Sequence, residues 1–111
     1  MTGMDVTFVR IYLHEAKGQV SKLLGYLHDE SKVRGVTVFR GITGFGVSGK
    51  YHSSSLMDMS LDLPVVIEFY DDPLKVEGII VELNKTLKPG QIVFWPAKIN
   101  ATSSPSGRGQ G

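Results

Sequence analysis

Cysteine is missing from this chain of 111 residues. It therefore has no disulfide framework and no thiolate metal site, a composition that fits a reducing cytoplasm. Long apolar runs are missing as well, and none approaches the roughly 18 residues of a membrane-crossing helix. The opening Met1-Thr2-Gly3-Met4-Asp5 carries neither the basic nor the apolar region of a secretion signal. Charge of one sign is not in excess: 12 Lys and Arg face 11 Asp and Glu, leaving +1. A protein that grips long nucleic acid carries a stronger basic surplus, so no nucleic acid polymer is expected as a partner. An anionic partner would be small and held by a few local groups. The chemical signatures of catalysis are also wanting: no Gly-x-Ser-x-Gly elbow, no His-Glu-x-x-His and no Walker loop. The reading is of a protein that is not an enzyme and requires no cofactor. His14, His28 and His52 are dispersed, with no pair at helical metal spacing. A single chain offers no metal site on this pattern, although an oligomer could gather copies of one His on its axis.

What is present is an ordinary globular composition, 41% hydrophobic and 21% charged, in a length that buries a core without staples. Residues 6–13, rich in β-branched and aromatic side chains, predict a first strand. Val20, Leu23, Leu24 and Leu27 then fall on one helical face, with Gly35 placed to end the segment. Residues 36–43 predict a second strand, 47–62 a long loop, and 65–70 a third strand. Asp71-Asp72-Pro73 announces a second helix, with Asp72 as cap and Pro73 at the first helical position. Its apolar face follows as Val76, Ile79, Ile80, Leu83 and Leu87. After the Pro89-Gly90 turn, residues 91–99 predict a fourth strand, in which Pro96 points to an edge or a bulge. Residues 1–99 make one domain. The Ser, Gly and Pro tail at 100–111 has little to bury and is expected to be disordered.

The order is βαββαβ, two halves with matching helices. Connected in one sheet it gives an α+β, ferredoxin-like split βαβ: a four-stranded antiparallel sheet with both helices on one face. Phe8, Tyr12, Phe94, Trp95, Val66 and Tyr70 spread over both alternating sets of the strands. Two helices shield one face, so the other is expected to be buried against further copies of the chain. Arg10 and Glu68 interrupt these apolar strands on neighbouring positions of the sheet and are expected to pair or to contact a ligand.

The remaining signal is concentrated in one stretch. Thr37-Val38-Phe39-Arg40-Gly41, Gly44-Phe45-Gly46-x-Ser48, His52 and Asp62-Leu63-Pro64-Val65-Val66-Ile67-Glu68 resemble a family of small bacterial and archaeal PII-like proteins within the PII signalling (GlnB-like) superfamily. The resemblance spans residues 5–99. It implies a ferredoxin-like homotrimer with sheets facing inward, located in the cytoplasm. It also implies an adenine nucleotide (AMP, ADP or ATP) in the clefts between subunits, and a loop after Gly46 that engages a target protein. Fusion of some relatives to fluoride-exporter domains brings a membrane transporter or channel into view as that target. The turn from Lys85 to Gln91 corresponds to the second nucleotide-binding loop of PII proteins. Departures are visible: PII proteins follow Gly-Phe-Gly with an Arg-Gln pair, where this chain has Val47 and Ser48. Its second loop is only Thr86-Leu87-Lys88-Pro89-Gly90. With less charge for a triphosphate, AMP, ADP or another small anion suits the chain as well or better.

On this basis the candidate ligand-binding residues are Arg40, Gly41, Gly44, Phe45, Gly46, Ser48, Lys50, His52, Lys88 and Gly90. Glycines let backbone N–H groups approach a phosphate, and Lys supplies a compact charge for the same oxygens. Arg40 reads either as an anion contact or as a surface or interface ion pair. Phe45 reads as a packed anchor or as a platform for a base. Lys50 reads as solvated or ligand-bound, and His52 as a hydrogen-bonding loop residue or a group that changes charge near neutral pH. Two other readings compete. One is an ion-handling protein like the trimeric PII-like divalent-cation tolerance proteins. The other is an RNA-recognition module, since Arg40-Gly41-x-x-Gly44-Phe45-Gly46-Val47 superficially resembles the aromatic motif of domains sharing this fold.

Overall fold

The structure, a computed structural model, describes residues 3–14, 18–44, 52–53 and 63–101. Four of the candidate residues, Phe45, Gly46, Ser48 and Lys50, lie outside that set, as does the tail beyond Ala101. The β-branched run near the start forms β1, Gly3–His14, longer at both ends than residues 6–13. Its early residues find partners on the last strand, with Gly3 opposite Asn100 and Asp5 opposite Lys98.

The first helical segment differs from its expectation. Helix α1 covers Gln19–Gly25, and the chain then widens into a π turn, Tyr26–Glu30. Gly25, the weakest helix former of the stretch, stands at the junction. The segment is closed well before Gly35: Ser31 N donates to Tyr26 O at 2.9 Å and Val33 N to Leu27 O at 3.1 Å. Lys32 takes the left-handed position at φ 51°, the role more often filled by glycine at a helix end. Leu23 and Leu27 are buried all the same.

The second strand is also shorter than expected. β2 is Val36–Arg40, and the chain breaks step at Gly41 and Ile42. It pairs again as β3, Thr43–Gly44, with β4, His52–Ser53. Part of the segment read as a loop over 47–62 is therefore in a short ladder. The cause of the break lies in β5, Pro64–Asp71. Gly41 N donates to Pro64 O at 2.7 Å, but Pro64 has no N–H to return, so the β2–β5 ladder cannot continue past it.

Helix α2, Pro73–Leu83, starts as its sequence dictates. The Asp72 carboxylate accepts from Leu74 N at 3.1 Å and Lys75 N at 3.4 Å, and Pro73 occupies the first turn. Val76, Ile79 and Leu83 are buried, and Leu87, beyond the helix, closes the same apolar face. β6, Ile92–Asn100, completes the sheet.

The sheet order is β2–β5–β1–β6, antiparallel throughout. This is the ferredoxin-like arrangement. β6 is an edge strand, which is where Pro96 is tolerated. Val9, Ile11 and Leu13 of β1 and Val65, Ile67 and Phe69 of β5 form one core with Leu23, Leu27, Val76, Ile79 and Leu83. A single alternating set of each central strand thus meets both helices. The other set faces away from them.

Candidate functional site

The strand registers fix which residues share the uncovered face. Phe8 lies opposite Tyr70 and Trp95, Arg10 opposite Glu68 and Val93, Tyr12 opposite Val66. Thr37 lies opposite Glu68, and Phe39 opposite Val66. The face is aromatic. The Phe8 ring stacks on Trp95 at 4.8 Å between centroids and on Tyr70 at 6.2 Å. Phe39 is 51% exposed and Trp95 38%. Phe94, also prominent in the sequence, belongs to the opposite set and stands 54% exposed at the β6 edge. At the centre of the aromatic face Arg10 Nε pairs with Glu68 Oε2, as their placement predicted. Hydrogen bonding to Tyr12 first, and to Glu68 second, holds the Arg10 guanidinium above its ordinary pKa, so it stays charged.

A concavity of about 330 Å³ opens at the end of this face where β2 begins. Phe8 and Tyr70 supply apolar walls, and Thr37, Glu68 and Arg34 supply polar groups. Stacked rings beside a few directed polar side chains suit a planar heterocycle. Sequence reasoning reached only Glu68 of this concavity, as a partner of Arg10 or a ligand contact, and missed the rest. Its residues come from β1, the turn before β2, β2 itself and β5, each apolar or polar in an unremarkable way along the chain. Only the register gathers them. The one signal available was the polar Thr37 and Glu68 set into otherwise apolar strands.

The candidate residues read from the sequence occupy other places. Arg40 ends β2 on the helix-facing set and lines a second concavity with Gly18, Val20, Ser21, Val38 and Val65. Gly41 is required by close packing: a Cβ there would stand 2.9 Å from Pro64 Cγ. Gly44 pairs with His52 in the β3–β4 ladder, which places both backbones at the root of the hairpin that leaves β2. Thr37 in β2 and Gly41, just past its end, are four residues apart along extended chain, about 13 Å. The concavity and the hairpin root are thus separated by a span like that from the base to the last phosphate of an extended nucleoside triphosphate, of which a mono- or diphosphate reaches only part.

Lys88 and Gly90 lie in the turn before β6. Gly90 adopts φ 90°, a conformation that favours glycine. Gln91 organises the turn: its side chain accepts from Lys88 N at 2.8 Å and donates to Tyr12 O at 3.1 Å. Tyr12 N in turn donates to Gln91 O at 2.9 Å. Phe39, Val66, Tyr12 and Gln91 therefore form one row across the sheet. The hairpin root and the 88–91 turn share an end of the sheet but sit at opposite edges, three strand spacings or about 14 Å apart. Within one chain they do not converge.

The Asp71-Asp72 pair divides its work. Asp72 caps α2. Asp71 is 5% exposed and accepts from Asp72 N at 2.8 Å and Arg34 N at 3.0 Å. Lys75 Nζ lies 3.2 Å and Arg34 Nε 3.9 Å from the same carboxylate. Among the described residues no three His, Cys, Asp or Glu side chains gather where a metal ion could sit, and no helix is long and apolar enough to cross a membrane.

Comparison with known proteins extends this geometry. The model of the DUF190 family, described as Uncharacterized ACR, matches residues 6–99. A UPF0166 protein of Aquifex aeolicus (strain VF5) is 37% identical over 70 residues, 63% of this chain and 73% of its own. CPII from Thiomonas intermedia K12, in a structure bound to ADP and bicarbonate, shares the fold with a TM-score of 0.60 at 19% identity, over 88% of this chain and 89% of its own. A second CPII structure, of a nitrogen regulatory PII-like protein bound to ADP, AMP and bicarbonate, gives a TM-score of 0.62 at 18% identity over the same shares, 88% and 89%. At these identities the likeness establishes a PII-like fold.

Proposed function

The chain belongs to the DUF190 family, and from that premise we propose that it is a PII-like regulatory protein, not an enzyme, that binds an adenine nucleotide of the AMP, ADP or ATP class. The observation that carries this reading is the concavity between Phe8, Tyr70, Thr37 and Glu68 on the uncovered sheet face. The base lies against its aromatic walls. The phosphates run along β2 toward the glycines at the hairpin root, where Gly41 and Gly44 keep side chains out of the way. Arg40, Phe45, Gly46, Ser48, Lys50 and His52 belong to the same root and the segment it carries. Lys88 and Gly90 act from the far edge of another copy, because a single chain holds them about 14 Å away. CPII, which has this fold, was found with ADP and AMP, which supports the ligand class.

The working form is a homotrimer. A largely aromatic face that carries the Arg10–Glu68 pair and Thr37 is costly to leave wet, and sheet-to-sheet burial brings the β2 edge of one copy to the β6 edge of the next. The segment 47–62 engages a target protein, with a membrane transporter or channel as a candidate. Nucleotide bound at its root changes the grip on the target, and the target tightens nucleotide in return.

Isothermal titration of the full chain with AMP, ADP and ATP tests the ligand. The expected result is saturable binding, with AMP or ADP at least as tight as ATP. No heat from any of the three, with assembled protein in the cell, would end the nucleotide reading.

A further inference from the structure

The concavity has one wall that the strands do not build. Arg34 and Gly35, just before β2, form it, and the segment 31–35 that carries them is pinned by the end of β5 and the start of α2. Arg34 N donates to Asp71 Oδ2 at 3.0 Å. Lys75 Nζ donates to Lys32 O at 2.8 Å while lying 3.2 Å from Asp71. The segment is thus tied at two points, to Asp71 at the end of β5 and to Lys75 in the first turn of α2. Gly35 leaves it recessed: a Cβ there would meet nothing within 4 Å.

Resting on the nucleotide reading above, we propose that Arg34 contacts the nucleobase end of the ligand and that buried Asp71 is the positioning residue that holds it there. Asp71 already accepts two backbone N–H groups and faces the Lys75 ammonium. Its carboxylate is well supplied without the Arg34 side chain, since the Arg34 contribution is its backbone N–H. The guanidinium stands 3.9 Å away, outside hydrogen-bond range. It is therefore oriented by charge without being consumed, and Arg34 lines the concavity beside Tyr70 and Thr37. A guanidinium is planar, donates only, and matches the acceptor edge or the π face of a base. A surface ion pair alone would gain little at this distance. Two backbone ties and a buried carboxylate are more than a loose surface arginine calls for.

A double-mutant cycle on the full chain, read by ADP titration, decides the matter. Arg34→Ala is expected to weaken ADP about tenfold, the order of a good contact to a base. Arg34→Lys, which keeps the charge and loses the planar fork, recovers less than half of that loss on a logarithmic scale. Asp71→Asn weakens ADP severalfold in the parent and leaves it unchanged in the Arg34→Ala background, because its effect passes through Arg34. Equal losses from Asp71→Asn in both backgrounds would make Asp71 merely structural and overturn the assignment. So would Arg34→Ala binding ADP as the parent does. If circular dichroism shows Asp71→Asn unfolded, Asp71→Glu replaces it in the same cycle. A parent chain that binds no ADP takes down the nucleotide reading and this inference together. A parent that binds, with Arg34 variants unaffected, takes down this inference alone.

Discussion

Adjacent carboxylates with separate duties, Asp71 and Asp72 show how much a single residue's surroundings decide. Asp72 is exposed and caps α2 through two backbone N–H groups. Asp72→Ala is expected to cost about 1 kcal/mol, lowering the thermal midpoint by about 4–8 °C for a domain of this size. A scanning calorimetry trace unchanged by the substitution would remove the cap from the account. Arg10 offers a test by pH. Its folded pKa is raised, chiefly by Tyr12 and then by Glu68. The stability it contributes is therefore fully present below the ordinary arginine value and is lost only as pH rises through the folded value. Denaturant titrations from neutral to mildly alkaline pH are expected to show no step in stability that Arg10→Met abolishes.

At the scale of elements, the break between β2 and β3 carries the most consequence. It sets where the hairpin leaves the sheet: Pro64 has no N–H to continue the ladder, and Gly41 packs closely against its ring at that point. Gly41→Ala places a methyl group 2.9 Å from Pro64 Cγ, and a proline ring does not swing aside. The expected cost is about 1–3 kcal/mol, as for overpacking elsewhere. The damage should be local: amide exchange at Gly41, whose N–H is held by Pro64 O, accelerates more than exchange in β1. Uniform acceleration across the sheet would place the strain elsewhere. The same break explains why the second strand read too long in the sequence. Val36 to Thr43 is uniformly strand-like, and the missing donor that ends the ladder belongs to a residue more than twenty positions away.

For the whole molecule, the sheet has a buried side and an aromatic side. Exposed on the aromatic side are Tyr12, Phe39, Val93 and Trp95. If copies meet there, one charge at Phe39 suffices to part them. Phe39→Lys is expected to sediment as a monomer at concentrations where the parent sediments as a trimer. A Phe39→Lys variant that stays assembled would move the interface to another surface.

Much of this architecture is written along the chain. The β-branched and aromatic run of residues 6–13, the helical spacing from Val76 to Leu83 and the Asp72-Pro73 start specify the elements by rules acting within a few residues. The βαββαβ order then leaves few ways to connect them, and Arg10 and Glu68 fall on neighbouring strands as that order requires. Which residues line the candidate concavity was decided otherwise. Phe8, Arg34, Thr37 and Tyr70 are scattered over more than sixty positions, and apart from the polar Thr37 in an apolar strand nothing local sets them together. Antiparallel register brings them together, and a buried carboxylate at the far end of β5 fixes the wall they share. Local preferences act over a turn or a strand. A binding surface is made of contacts between strands, and those exist only once the sheet has closed.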